Sequence, residues 1–210
     1  MAKLIFFDAD HSYQVDGETV PSVSEILRFM SREIYDSVTQ WRLDNAADRG
    51  SRIHKACENI DRYGSCEIAS DIEPYIRAYI RFLQEHKPEW KRIEHAMYSP
   101  TKGYAGTLDR YGIIGGKRTI VDIKSNSAVK AQLVAAQLAG YGWLACENDL
   151  PVDQVAYLHL RNTGEYCFKI VEAATDAFQS CLTLHNALKK KTRRKGETNG
   201  TKPDSDTAAG

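Results

Sequence analysis

The chain has 210 residues, of which 42% are hydrophobic and 27% are charged, and this is typical of a globular domain with a substantial core. No apolar run approaches the roughly 18 residues that a membrane-spanning helix needs. Asp8 interrupts the apolar opening too early for a secretory signal peptide, so we expect a cytoplasmic protein without a membrane segment. The five cysteines are odd in number and include no C-x-x-C pair, and this indicates neither a disulfide framework nor a zinc ribbon.

The formal net charge is zero, but the charges are unevenly distributed. Residues 189–210 hold seven Lys or Arg against three Asp or Glu, so the rest of the chain is mildly acidic. This balance argues against broad electrostatic binding to nucleic acid, but it leaves room for a local basic groove beside an acidic metal site. The end of the chain is also poor in large apolar groups, and we predict that residues 191–210 form a disordered basic and polar tail.

Residues 1–88 are predicted to form a short hairpin followed by helices. The Asp16-Gly17 pair is typical of a two-residue hairpin turn. Ser22 and Glu25 fit a capping box at the start of a helix that runs to about Met30. Apolar residues at helical spacing predict further helices over residues 34–44, 46–62 and 72–87.

From about Trp90 the apolar period changes from that of a helix to that of a strand. A three-strand meander is predicted, with the Gly115-Gly116 turn between its second and third strands, over residues 93–98, 106–114 and 118–125. A helix, two paired strands and a last helix follow, over residues 130–148, 155–160, 166–171 and 174–190. We therefore predict one domain over residues 1–190.

The third strand of the meander carries the first candidate site residues. Strand alternation places Asp122 and Lys124 on one face. Buried there, an acid and an amine would be costly unless they are paired or bound to a metal, although on an exposed strand they would be an ordinary surface ion pair. The hairpin through Gly115-Gly116 brings Asp109 alongside Asp122, and two close carboxylates favour a divalent cation. A solvated acid near a turn is the alternative for Asp109.

Two helices carry further polar candidates. His54 and Glu58 lie one turn apart at the edge of an apolar stripe, where a hydrogen-bonded core histidine is the alternative to a metal ligand. Gln137 and Tyr141 are also one turn apart, and their polar tips can reach into a cleft. An ordinary amphipathic edge accounts for this second pair equally well.

Taken together, the candidate residues follow an ordered pattern: R-G-x-x-x-H at residues 49–54, G-x-x-D at 106–109, D-x-K at 122–124 and Q-x-x-x-Y at 137–141. This order resembles the RecB-like branch of the PD-(D/E)XK nuclease superfamily. The segment between His11 and Leu27 also resembles the front end of phage and prophage exonucleases in that branch. Leu108 stands where the superfamily name has proline, and the cysteine set that ligates an iron–sulfur cluster in some relatives is absent, so no cluster is expected.

The resemblance implies an α/β (α+β) fold in which a central mixed sheet is flanked by helices, with the catalytic core in residues 89–190. It also implies one or two Mg²⁺ or Mn²⁺ ions, and a lysine that positions or activates the attacking water, here Lys124. The implied metal ligands are His54, Asp109, Asp122, the main-chain carbonyl of Ile123 and an additional acid, Glu94. The residues implied to support the site or contact DNA are Arg49, Ser125, Gln137 and Tyr141.

The expected activity is metal-dependent hydrolysis of linear DNA by an exonuclease that leaves 5′-phosphates, in recombination or repair in a bacterial or phage-infected cell. Site-specific cutting is disfavoured because no extra DNA-reading domain fits in the length. Linear single- or double-stranded DNA, further copies of the chain and a strand-annealing or recombination protein are the expected partners. Two alternatives stay open: a catalytically inactive module that binds DNA ends or proteins, and a metal-dependent hydrolase with another substrate.

Overall fold

The strands of the protein form two sheets in the computed structural model, which describes residues 3–7, 11–36 and 39–198. The small sheet is antiparallel and consists of β1 (Leu4–Phe7), β2 (Ser12–Val15) and β3 (Glu18–Val20). The larger sheet has five strands in chain order: β4 (Glu89–Ser99), β5 (Tyr104–Ile114), β6 (Lys117–Lys124), β7 (Gln154–Leu160) and β8 (Tyr166–Val171). Its neighbouring strands are antiparallel except for β6 and β7, which run parallel.

Helices cover both faces of the larger sheet. They are α1 (Val23–Ile26), α2 (Arg28–Tyr35), α3 (Gln40–Tyr63), α4 (Glu73–His86), α5 (Ala131–Glu147) and α6 (Thr175–Thr198). One core lies between the sheet and α1, α5 and α6, and the other lies between the sheet and α3 and α4. The predicted fold class, a mixed sheet flanked by helices, is therefore confirmed. Within the described residues, no helix has both the length and the apolar character needed to cross a bilayer.

Local sequence signals account for the first elements. Asp16 and Gly17 both have positive φ, 50° and 87°, as the predicted two-residue turn between β2 and β3 requires. The predicted capping box is present: the Ser22 hydroxyl accepts from the Glu25 N–H at 2.9 Å, and the Ser22 N–H donates to the Glu25 carboxylate at 3.3 Å. The helix it begins ends at Ile26 rather than near Met30, and α2 follows directly.

Two helices extend further than the sequence predicts. α3 is continuous from Gln40 to Tyr63, where two helices over residues 34–44 and 46–62 are predicted. Asn45, at the predicted break, lies within the helix, and its side-chain amide donates to the Trp41 carbonyl at 3.0 Å. α6 continues to Thr198, past the predicted end at residue 190, since Lys and Arg favour helix. Residues 199–210 of the predicted tail lie outside the described residues, and the division at residue 190 stays a prediction.

A register shift between β4 and β5 sets the alignment of the site. The shift falls between Trp90 and Arg92 of β4. It lies beside Gly112, where a Cβ atom would come within 2.3 Å of the Glu89 carbonyl oxygen, so only glycine allows this close approach. Beyond the shift β4 is aligned so that Ile93 pairs with Arg110.

Candidate active site

The hydrogen-bonded pairing of β5 with β6 ends just before Asp109 and Asp122, the two acids that the sequence predicts to lie together. We call the space between the strands at these two acids the opening. The last paired residues in this direction are Arg110 and Val121, so the next positions, Asp109 and Asp122, lie where the strands separate. The Ile123 N–H, which a longer ladder would satisfy, donates instead to Asp109 Oδ2 at 2.6 Å. The end of the ladder thus leaves room for two carboxylates between neighbouring strands.

Strand β6 places Asp122 and Lys124 opposite to Val121 and Ile123, which pack into the core under α3 and α4. The Asp122 side chain is 2% exposed and the Lys124 side chain 21% exposed, and Lys124 Nζ lies 2.8 Å from Asp122 Oδ2. Burial to this degree excludes the alternative of an ordinary exposed ion pair. The strand therefore presents an acid and an amine in one shielded space.

Helix α5 contacts the Lys124 ammonium from the other side. Lys124 Nζ donates to Gln137 Oε1 at 3.0 Å, and Gln137 Nε2 donates to the Tyr141 hydroxyl at 3.1 Å. Burial lowers the pKa of Lys124, but the nearby Asp122 and Asp109 carboxylates together oppose it, and the pKa is raised above its ordinary value. Lys124 is therefore a charged hydrogen-bond donor held between two partners, and this form cannot accept a proton.

Helix α3 brings His54 to the same opening. His54 Nε2 lies 3.0 Å from the Ile123 carbonyl oxygen, and His54 Nδ1 lies 3.6 Å from Asp109 Oδ1. These contacts place His54 beside Asp109 and Ile123, and the hydrogen bond to the Ile123 carbonyl fits a hydrogen-bonded core histidine as well as a metal ligand. The Ile123 carbonyl, which the resemblance implies as a metal ligand, is at the same place.

Glu94 of β4 completes a group of three possible metal ligands. It lies between the paired residues Ile93 and His95 and has a φ of 45°, a left-handed conformation that is unusual for a residue with a side chain and typical of functional sites. One ligand atom from each of His54, Glu94 and Asp109 lies within 4.8 Å of the other two. Two carboxylates and an imidazole suit Mn²⁺ or Mg²⁺ when water and phosphate supply the remaining oxygens.

Asp122, which the resemblance implies as a metal ligand, does not belong to this group of three in the described part of the chain. Its carboxylate is directed to Lys124. The structure therefore brings Glu94 to the other ligands and leaves Asp122 beside them, paired with the amine. A metal-ligand role for Asp122 stays a prediction.

Burial and mutual repulsion raise the pKa values of two acids at the opening, Glu94 and Asp122. Burial and the Asp109 carboxylate raise the pKa of Glu94 to about 8, against the opposing effect of Arg110. Burial also raises the pKa of Asp122 to about 6, with Lys124 opposing the shift and Asp109 adding to it. The opening thus binds protons that a cation would displace.

The raised pKa values predict a pH dependence of stability and of metal binding. In the metal-free protein, Asp122 and Glu94 bind protons more tightly when the chain is folded than when it is unfolded. Proton binding therefore stabilises the fold at low pH, and this stabilisation is lost as pH rises through about 6 for Asp122 and about 8 for Glu94. We expect the melting temperature of the metal-free protein to fall over this range, while affinity for Mn²⁺ rises over the same range. Calorimetry and Mn²⁺ titration at pH 5.5, 7 and 8.5 measure both.

The matched pair Glu94→Gln and Glu67→Gln provides the control for this pH dependence. Glu67 is exposed on the loop after α3, so its replacement should leave both profiles unchanged. Glu94→Gln should remove the step near pH 8. Mn²⁺ affinity that is constant from pH 5.5 to 8.5 would contradict the prediction.

Among the described residues, two that are implied to support the site form no hydrogen bond or ion pair with its acids. The Arg49 guanidinium lies over the Tyr75 ring, 5.8 Å from its centroid, and Arg49 Nε is buried without a hydrogen bond to any described residue. Ser125 is buried directly after β6, and its hydroxyl oxygen would lie 3.7 Å from a Cβ atom at Gly50. A role for Arg49 and Ser125 in binding DNA stays a prediction.

A buried network of polar side chains lies behind the opening, and the sequence does not predict it. Arg110 is fully buried and bonds to Asp61 of α3 and to Glu94, while Tyr79 of α4 donates to Asp61. One signal could have found Asp61, since it lies seven residues after His54 and so shares its helix face. Arg110 and Tyr79 give no such signal, because their partners are distant in sequence.

The chain matches no protein-family model and no curated protein. Among solved structures, it is similar to an alkaline exonuclease (LHK-Exo) from Laribacter hongkongensis, with 15% identity, a TM-score of 0.45, and coverage of 81% of this chain and 93% of that one. The complex of LHK-Exo with dAMP has 15% identity, a TM-score of 0.43 and coverage of 86% and 95%. A protein called SSO0001 has 13% identity, a TM-score of 0.48 and coverage of 83% and 79%. Similarity this remote does not establish an activity.

Proposed function

We propose that this protein is a divalent-metal-dependent nuclease that hydrolyses phosphodiester bonds in DNA. The observation that carries the proposal is the end of the β5–β6 pairing, where His54, Glu94 and Asp109 converge beside the buried Asp122–Lys124 pair. Ligands for a hard cation with a fixed ammonium next to them are suited to the hydrolysis of a phosphate diester, because both stabilise negative charge on the phosphate. The resemblance of the ordered sequence pattern to RecB-like nucleases adds the substrate class.

One group of residues in the site would bind the cation, and Lys124 would contact the phosphate or the attacking water. His54, Glu94, Asp109 and the Ile123 carbonyl would hold Mg²⁺ or Mn²⁺, with Asp122 as a further candidate. A bound cation supplies charge compensation for the phosphate and favours ionisation of the attacking water.

Lys124 has a separate task in the proposed reaction. Its ammonium, fixed by Asp122 and Gln137 at 2.8 and 3.0 Å, donates a hydrogen bond to a phosphate oxygen or to the attacking water. Because both partners already lie in place, little reorganisation is needed when negative charge develops on the phosphate. The Tyr141 hydroxyl accepts a hydrogen bond from the Gln137 amide and so orients it toward Lys124.

We further propose exonuclease action on linear DNA with 5′-phosphate products, in recombination or repair in the cytoplasm of a bacterial or phage-infected cell. Homo-oligomers and a strand-annealing or recombination protein are proposed partners. The branch that the sequence pattern resembles supports this finer assignment.

End-labelled linear single-stranded DNA, linear double-stranded DNA and a closed circle, each incubated with Mg²⁺, Mn²⁺ or EDTA, test the proposal. We expect loss of linear DNA and release of 5′-mononucleotides with either metal, and no loss with EDTA or from the circle. Loss of circles would exclude strict exonuclease action. Retention of all three DNAs with both metals would contradict the nuclease proposal, and binding of linear ends without cleavage would favour the inactive module.

A further inference from the structure

A fully buried arginine lies directly behind the candidate metal ligands. The Arg110 side chain has no exposed surface. Its Nη1 donates to Glu94 Oε1 at 2.8 Å and to the Asp109 carbonyl oxygen at 2.7 Å. One nitrogen of the guanidinium thus contacts the side chain of one candidate ligand and the main chain of another.

A second guanidinium nitrogen is paired with an acid from a helix, and that acid contacts a tyrosine in turn, while Arg110 Nη2 is buried without a hydrogen bond to any described residue. Arg110 Nε donates to Asp61 Oδ2 at 2.6 Å, and the Tyr79 hydroxyl donates to the same oxygen at 2.5 Å. The Asp61 side chain is only 2% exposed. A continuous chain of hydrogen bonds therefore runs from Tyr79 of α4 through Asp61 of α3 and Arg110 of β5 to Glu94 of β4.

Arg110 is shared between two acids. Its Nε lies 2.6 Å from Asp61 Oδ2, and its Nη1 lies 2.8 Å from Glu94 Oε1. Asp61 is the more deeply buried of the two counter-ions, with a side chain 2% exposed against 26% for Glu94. The network therefore holds the Glu94 carboxylate in one place beside His54 and Asp109.

Stability alone is a poor explanation for such a network. Burying a guanidinium and a carboxylate costs desolvation free energy that their attraction often does not recover, and well-packed apolar residues in their place are commonly at least as stable. Glu94 is also held at a φ of 45°, a conformation that persists only where surrounding contacts impose it. Both features are explained if the network serves to hold a ligand in one place.

We propose that Arg110, backed by Asp61 and Tyr79, is a positioning residue that fixes Glu94 and the Asp109 main chain for a divalent cation. The inference rests on the metal site of the proposed function, and it does not depend on the substrate. Residues that orient metal ligands in this way commonly contribute about 10- to 100-fold in metal affinity.

Mn²⁺ binding to the metal-free protein, measured by electron paramagnetic resonance without DNA, tests the proposal. We expect Arg110→Lys, which keeps the charge but loses the planar fork, to weaken Mn²⁺ binding by about 10- to 100-fold. Tyr79→Phe removes one hydroxyl and should weaken binding by about threefold or more. Arg118→Lys and Tyr166→Phe alter surface pairs with Asp153 and Glu85 and should leave the Mn²⁺ dissociation constant unchanged.

The background variant Glu94→Gln separates positioning from general support of the fold. If the network acts through Glu94, Tyr79→Phe should change Mn²⁺ affinity in the natural chain and leave it unchanged in Glu94→Gln. A merely structural role would lower the melting temperature of the Tyr79→Phe protein without changing its Mn²⁺ dissociation constant, and would overturn the proposal. The Mn²⁺ dissociation constant of Tyr79→Phe tests the positioning role even if Arg110→Lys does not fold.

DNA cleavage is measured separately so that the two proposals can fail independently. A protein that binds Mn²⁺ through the network but degrades no DNA would overturn the proposed function and support this inference. Degradation of DNA with Mn²⁺ affinity equal in Arg110→Lys, Tyr79→Phe and the natural chain would overturn this inference and support the nuclease. Absence of Mn²⁺ binding in the natural chain would overturn this inference.

Discussion

Replacement of Lys124 by alanine is expected to slow DNA cleavage by about 10²- to 10³-fold, the usual effect of removing one fixed donor from a site where charge develops. The ammonium is held by Asp122 and Gln137, and a water that enters in its place carries no positive charge. Because Lys124 is not a proposed metal ligand, Mn²⁺ binding should persist while the rate constant of DNA cleavage falls. Single-turnover cleavage of end-labelled linear DNA measures this effect.

The control for this variant is Lys169→Ala, since Lys169 is exposed on β8 and its loss should not change the rate. A second variant, Asp122→Asn, should also reduce cleavage strongly because it leaves Lys124 without its counter-ion. The exposed Asp149 supplies the matched Asp→Asn control. Cleavage by Lys124→Ala at the rate of the natural chain would show that the active site lies elsewhere.

Replacement of Asp61 by alanine is expected to destabilise the fold by about 3–5 kcal/mol, since it leaves the buried Arg110 guanidinium without its main counter-ion. For a domain of this size, the melting temperature should fall by roughly 2–4 °C for each kcal/mol lost. Asp153→Ala provides the control, because Asp153 forms an ion pair with Arg118 at the surface and exposed pairs contribute little. Thermal and urea unfolding, followed by circular dichroism, measure the difference.

A loss of stability no larger than that of Asp153→Ala would contradict this expectation. Such a result would mean that water reaches Arg110 once the Asp61 carboxylate is removed. It would also weaken the argument that the guanidinium needs its buried partners, although the Mn²⁺ titrations of Arg110→Lys and Tyr79→Phe would still decide the positioning role.

The elements that the sequence predicts correctly are those with strong local signals. Alternation along β6 predicts the shared face of Asp122 and Lys124, and the Gly115-Gly116 turn predicts the hairpin that aligns Asp109 with them. The helical spacing of Gln137 and Tyr141 predicts that their polar tips lie together, whereas the contact of Gln137 with Lys124 is seen only in the structure. Each of these signals comes from residues within one element or one turn.

The features that the sequence does not predict depend on contacts between distant elements. An arginine in a strand would ordinarily be read as exposed, and the burial of Arg110 becomes evident only when Asp61, Tyr79 and Glu94 arrive from α3, α4 and β4. The approach of Glu94 to His54 and Asp109 has the same origin, because these three residues come from β4, α3 and β5.

The backbone of Glu94 has a consequence for attempts to make this protein more heat-resistant. A left-handed φ is strained for glutamate and readily adopted by glycine or asparagine, so a selection that rewards thermal tolerance alone would favour those residues at position 94. The carboxylate would disappear as the strain was relieved. If glutamate is retained at position 94 although glycine or asparagine would raise the melting temperature, then cation binding limits the thermal stability of this protein.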